Sequence, residues 1–110
     1  MVNVLVLFGE PIDQAAFDTH FTDVHRPMLT GLPGLEGYRV NEVAAAASGP
    51  RPYRLVLELQ FPSQEAMQEG LNSDGGQAMA RDYSHFASGG VTILFCESPG
   101  PAGVPGLLLT

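Results

Sequence analysis

The sequence predicts an α+β domain whose four strands and two helices follow in the order βαββαβ, the ferredoxin-like arrangement. Three observations predict it. The apolar period alternates between two and 3.6, turn-forming residues fall at each change, and 110 residues support only one hydrophobic core. With right-handed crossovers such a chain closes a four-stranded antiparallel sheet carrying both helices on one face.

Residues 2–8 are a Val-rich apolar run, the mark of a strand covered on both sides. Gly9-Glu10-Pro11 breaks it, and Asp13 is placed to cap a helix. Phe17, Phe21, Val24 and Met28 then follow at spacings of four, three and four, so they form one apolar stripe. Pro27 disturbs this helix and Gly31 ends it. After the turn at residues 31–35 a strand is expected from Gly37 to Ala45, then a loop through Ser48-Gly49-Pro50-Arg51-Pro52.

Tyr53 to Phe61 alternates cleanly. Tyr53, Leu55, Leu57, Leu59 and Phe61 face one way, and Arg54, Val56, Glu58 and Gln60 the other. Ser63 with Glu65 opens a second helix, which breaks near residues 72–76 and resumes from Gln77 to Tyr83 with Ala78, Met79 and Tyr83 inward. Ser88-Gly89-Gly90 turns the chain into a last strand, residues 91–96. The division is therefore a folded domain at residues 1–97 and a Pro/Gly-rich tail at residues 98–110, whose Leu107-Leu108-Leu109 either extends freely or docks on a subunit surface.

The sheet face away from the helices needs a cover. Val56 and the two-sided apolar character of the first and last strands predict a second sheet there, hence a homodimer. Glu58, pointing into that interface, would need Arg39 or Arg54 as partner.

Composition excludes several classes. Net charge is −7, and the five basic residues are all Arg, a balance that repels nucleic acid and anionic membranes. No stretch approaches the ~20 apolar residues of a membrane span. The start reads as a strand of the mature protein and not as a signal peptide, and one cysteine, Cys96, fits a reducing cytoplasm. There is no phosphate loop, nucleophile elbow or cysteine cluster.

The segment Phe17-Asp-Thr-His20-Phe21-Thr-Asp-Val-His25-Arg-Pro27-Met-Leu29 is similar to the helix signature of the EthD family, in which His, an aromatic and a later His-x-Pro recur. Leu32-Pro-Gly-Leu35-x-x-Tyr38, Ser63-x-Glu-Ala-Met67, Ser73-Asp-Gly-Gly-Gln77 and Phe86-Ala-Ser-Gly-Gly90-Val-Thr-Ile-Leu-Phe95 resemble its later segments. The resemblance spans residues 2–97 and implies a dimeric α+β barrel of the kind associated with ethyl tert-butyl ether degradation. Relatives on that fold include cyclases, dehydratases, monooxygenases and isomerases, so the fold alone names no reaction.

His25 and His20 are the candidate catalytic residues. At ~100° per residue they fall ~140° apart around a helix, too far to clamp one metal, and no metal site is expected. His25 lies in the final turns, where the helix dipole favours a protonated ring, and the family signature supports it as acid or base on an enolisable or phenolic compound. Its plain alternative is a helix-end histidine bonded to a carbonyl. His20, on the stripe margin, reads as a buried structural histidine or as pocket lining. Phe21, Tyr53, Tyr83, His85 and Phe86 are candidate substrate-binding residues, since aromatics with polar tips both cover and orient a planar ligand; each could equally be core or rim. Asp82 reads as paired with Arg81 or with solvent.

The expected function is a small-molecule protein that needs no cofactor, taking a hydrophobic or aromatic compound between helices and sheet and using His-assisted acid/base chemistry. The alternative is a non-catalytic binding or oligomerisation module for a hydrophobic ligand or a partner enzyme. Haem binding on the same fold would require His20, His25 or His85 as an axial ligand.

Overall fold

The computed structural model describes residues 1–97, and the tail at residues 98–110, with the two readings of its leucines, lies outside them. Four strands make one antiparallel sheet in the order β2-β3-β1-β4: β1 (Val2–Phe8), β2 (Gly37–Glu42), β3 (Leu55–Phe61) and β4 (Val91–Glu97). Along β1 and β3 burial alternates strictly, as the period-two pattern requires. Val4, Val6, Phe8, Leu57, Leu59 and Phe61 point under the helices and form the centre of the core.

Strand β2 stops at Glu42, three residues before the expected end at Ala45, and β3 starts at Leu55 rather than Tyr53. The ladder is closed there by the Val43 N–H donating to the Arg54 carbonyl and the Arg54 N–H donating to Phe8. Tyr53 is thus a half-buried loop residue.

Asp13 caps α1 (Gln14–His20) by accepting from the Ala16 N–H. The helix then widens into a π-turn at Phe21–His25, in which the Arg26 N–H donates to the Phe21 carbonyl, five residues back. A short α2 (Arg26–Met28) and a 3₁₀ turn (Leu29–Gly31) finish it. Pro27 explains the widening: it offers no N–H, and its ring would press on the carbonyl four residues earlier in a regular helix. The consequence is a change of stripe. The buried positions are Phe17, Phe21, His25 and Leu29, at spacings of four, whereas Val24, expected inside, is 43% exposed.

Ser63 caps α3 (Gln64–Asn72), and Ser73 caps α4 (Asp74–Phe86). The expected gap at residues 72–76 is one residue wide, because Gly75 and Gly76 belong to α4 and not to a turn. A Cβ on Gly75 would lie 2.6 Å from the Gly31 carbonyl oxygen, so glycine serves close approach between α4 and the end of the first helical segment. Helix α4 also runs three residues beyond Tyr83. Met79, Asp82 and Phe86 are its buried residues on the far turns, with Ala78 and Tyr83 half-buried.

The other sheet face carries Leu5 opposite both Glu58 and Leu94, and Leu7 opposite Val56. Arg39 stands directly across from Glu58 in the strand register, but no ion pair joins the two side chains. Arg54 instead pairs with Asp18 at 2.9 Å and Glu42 at 3.5 Å. Among the described residues no helix is long and apolar enough to cross a membrane.

Candidate functional site: a carboxylate between two histidines

The π-turn brings to Asp82, on α4, two histidines that a regular helix would hold apart. Asp82, on α4, faces His25 and His20. His25 Nδ1 lies 2.9 Å from Asp82 Oδ2, and His20 Nε2 lies 2.9 Å from Oδ1 and 3.0 Å from Oδ2. In a turn closed by i→i−5 bonds each residue advances by less than the ~100° of an α-helix, so His20 and His25 come nearer to one face. The ~140° separation calculated for a regular α-helix therefore does not apply to this pair. Asp82, expected to meet Arg81 or water, is a buried acceptor for both rings instead.

The three groups differ in exposure. His25 has no exposed side-chain surface, Asp82 has 8% and His20 26%. His25 sits inside aromatic walls, with ring centroids at 5.1 Å for Tyr83, 5.0 Å for Phe86, 5.9 Å for Phe21 and 6.1 Å for Phe8. His20 stacks on the outer side of Phe86 at 4.7 Å.

Burial is the largest influence on His25 and lowers its pKa from 6.5, because a charged ring is poorly solvated there. The hydrogen bond and charge of Asp82 push it back only in part. The dipole argument for a protonated ring is thus overruled by desolvation. For Asp82 burial is again the largest single influence and opposes ionisation, yet the bonds from His25 and His20 together with their charge win. Its carboxyl is held below the usual 3.8 and is ionised at neutral pH. A neutral His25 facing a carboxylate carries its proton on Nδ1 and donates it to Asp82. That leaves Nε2 as a bare lone pair, and this buried nitrogen has no hydrogen-bond partner among the described residues. Tyr83 is pushed up to about 12, first by burial and then by the charge of Asp82, so its hydroxyl remains a donor.

Beside this group a cavity of about 130 Å³ lies between α4 and the sheet. Val4, Val6, Leu59, Met79, Tyr83 and Phe95 line it. A second hollow of about 210 Å³ continues beyond Phe95 toward Val2, Met67 and Glu97. Among the described residues no group of three or more His, Cys, Asp or Glu stands in a metal-holding arrangement.

Of the residues singled out from sequence, His20, His25, Phe21, Tyr83 and Phe86 come together. Of these five only Tyr83 also lines the cavity; His85 is exposed on the outer side of α4, and Tyr53 stays in its loop. Asp82 was the residue not foreseen. The available signal was its spacing from Met79 and Phe86, three and four residues apart, which puts an acid on a buried stripe.

The family's sequence pattern, the EthD domain, matches residues 9–90. The chain belongs to the EthD family. An uncharacterized 11.0 kDa protein in the thcB-thcC intergenic region of Rhodococcus erythropolis is 31% identical over 97 residues, which cover 88% of this chain and 94% of that one. The crystal structure of an EthD family protein from Bacillus halodurans superposes with a TM-score of 0.84 at 28% identity, covering 90% of this chain and 99% of the other. A dimeric ferredoxin-like protein of unknown function from Jannaschia shares the fold alone, with a TM-score of 0.67 at 17% identity over 89% of this chain and all of that one. The EthD domain here is accordingly a ferredoxin-like α+β domain with a four-stranded antiparallel sheet, the fold class expected from the residues.

Proposed function

We propose that this EthD domain is a small-molecule enzyme in which His25, held by Asp82, is the acid/base group. Its substrate would be a hydrophobic or aromatic compound in the cavity between α4 and the sheet. The observation that carries the reading is the state of His25: Nδ1–H committed to an ionised carboxylate, Nε2 buried and unpartnered. An unpaired buried acceptor costs roughly 1–3 kcal/mol, and such a cost persists where it serves a reaction. The carboxylate fixes the tautomer and steadies the imidazolium formed when Nε2 takes a proton, which is the ordinary division of work in a His–Asp pair. Proton removal from an enolisable or phenolic compound is the step such a base performs, worth typically ~10²–10⁴-fold in rate.

A second reading is favoured by the absence of exposed surface on His25. There the triad is a buried structural knot in a non-catalytic binding module. The test is hydrogen–deuterium exchange into a panel of hydrophobic ketones and phenols, followed by NMR, with the wild type and His25→Ala. Catalysed exchange lost in a His25→Ala protein of unchanged circular dichroism supports the enzyme. No catalysed exchange by the wild type leaves the binding module, and exchange that persists in the variant removes His25 from the acid/base role.

The same protein is proposed to work as a homodimer through the face bearing Leu5, Leu7, Val56 and Leu94. The apolar rows of that face and the dimeric Jannaschia relative support the assembly.

A further inference from the structure

On the helix side of the sheet two apolar rows run across the strands. Leu59, Val4 and Phe95 form one, from β3 through β1 to β4, and Leu57, Val6 and Ile93 form the next. The four residues on β1 and β3 are buried in the core. At the edge strand that cover gives out: Ile93 is 41% exposed and Phe95 63%. A second copy on the face bearing Leu5 and Leu94 leaves these two side chains bare, because they point the other way.

The bare end is a groove with Phe95 in its middle. On one side a hollow of about 210 Å³ runs past Met67 to Val2 and Glu97, and on the other a hollow of about 340 Å³ runs past Met67 to Gln68 and Leu71. Glu97 is the last residue of β4, so the chain continues into residues 98–110 from the groove itself. From Ser98 to Gly106 that segment has three Pro and three Gly, and Leu107-Leu108-Leu109 follow. It carries no charged side chain, in a protein of net charge −7, so seating it on an apolar surface desolvates no charged side chain of its own. Leu107 follows Glu97 by ten positions. Ten residues reach ~33 Å when extended and ~17 Å as a relaxed linker.

We propose that Leu107, Leu108 and Leu109 of the same chain seat in this groove, against Met67, Leu71 and Phe95. A short tether presents them at an effective concentration of order millimolar, so a weak apolar contact suffices to hold them. Phe95 also lines the cavity beside α4, and the seated leucines close the outer side of that space. The acid/base role of His25 is not used in this assignment.

The experiment places a reporter in the groove. Phe95→Trp gives the full chain its only tryptophan. That protein is compared with one that also carries Leu107→Ser, Leu108→Ser and Leu109→Ser. The expected result is an indole emission that moves to the red and an acrylamide quenching constant that rises several-fold when the leucines are replaced, with circular dichroism unchanged. A second measurement keeps Phe95: the three leucine substitutions alone should raise the fluorescence of added anilinonaphthalene sulfonate several-fold, as a newly uncovered apolar surface does. Quenching equal in the two reporter proteins, or dye fluorescence equal with and without the leucines, would overturn the assignment. Quenching of the leucine-free reporter that falls again on adding excess wild-type chain would give the groove to a second copy's leucines and overturn the same-chain seat.

Discussion

Asp82→Ala tests the triad most directly, because it removes the shared acceptor and leaves both imidazoles in place. His25 has no exposed surface, so its Nδ1–H cannot turn to water and becomes a second orphan beside Nε2. An unsatisfied buried donor costs about 1–3 kcal/mol, and a hydrogen bond to a charged acceptor contributes about 1.5–3 kcal/mol. His20, 26% exposed, can exchange its bond for water and adds only a few tenths. The expected loss is therefore about 2–3 kcal/mol at pH 7, or a fall of roughly 8–15 °C in Tm. Urea unfolding followed by circular dichroism measures it. A companion, His25→Phe with Asp82→Leu, removes the buried polar pair altogether and is expected to recover most of that loss, since apolar replacement of both partners is often neutral or stabilising. An Asp82→Ala protein within about 0.5 kcal/mol of wild type would refute the reasoning. It would mean that His25 finds another partner or water at no cost.

Two further predictions concern pH and assembly. His25 has its pKa lowered by burial, so below pH 6.5 the unfolded chain takes up a proton that the folded chain refuses, and stability falls as pH drops from 6.5 toward the lower folded value. Asp82, also lowered, contributes stability above pH 3.8 that is lost as pH falls through its folded value, so both act in one direction. Urea midpoints from pH 7 to 5 should decline, and His25→Phe should flatten that decline; a wild-type midpoint constant over this range contradicts a neutral His25. For the assembly, native mass spectrometry should give twice the 11.7 kDa chain mass for the wild type and a monomer for Leu94→Arg, which puts a charge opposite Leu5 on the open sheet face. A Leu94→Arg dimer would place the interface elsewhere.

The sheet was legible because its strands obey a period of two with few exceptions. Leu55, Leu57, Leu59 and Phe61 fall inward where alternation puts them, and β1 spans the expected residues. Tyr53 belongs to the alternation yet not to the strand, since the ladder ends at Arg54, where the backbone bonds cross to Phe8 and Val43. The site was harder to see, for one physical reason on each helix. Gly75 and Gly76 have the composition of a turn, but close approach to the Gly31 carbonyl for Gly75, and to the Gly70 and Leu71 carbonyls for Gly76, makes them helical packing positions. Ending the helix at Tyr83 then hid the stripe that contains Asp82 and Phe86. On the first helical segment, the 3.6 period chose Val24, whereas the chain buries His25.

That exchange of Val24 for His25 links the local sequence to the chemistry. A regular helix through Pro27 would aim the apolar Val24 at the core and turn the histidine outward, where it would titrate freely near its usual value. The widened turn before Pro27 shifts the phase of the helix by one residue. An imidazole then occupies the place of a core side chain between Phe21 and Leu29. Burying that ring is unfavourable on its own, and Asp82 offsets the cost while His20 supplies the carboxylate's second bond from the solvent side. Each element of the arrangement therefore depends on another: Pro27 on the π-turn, the π-turn on a polar partner for His25, and that partner on an α4 long enough to carry Asp82 and Phe86 together. A sequence that kept the histidines and lost either Pro27 or Asp82 would have no reason to keep His25 inside.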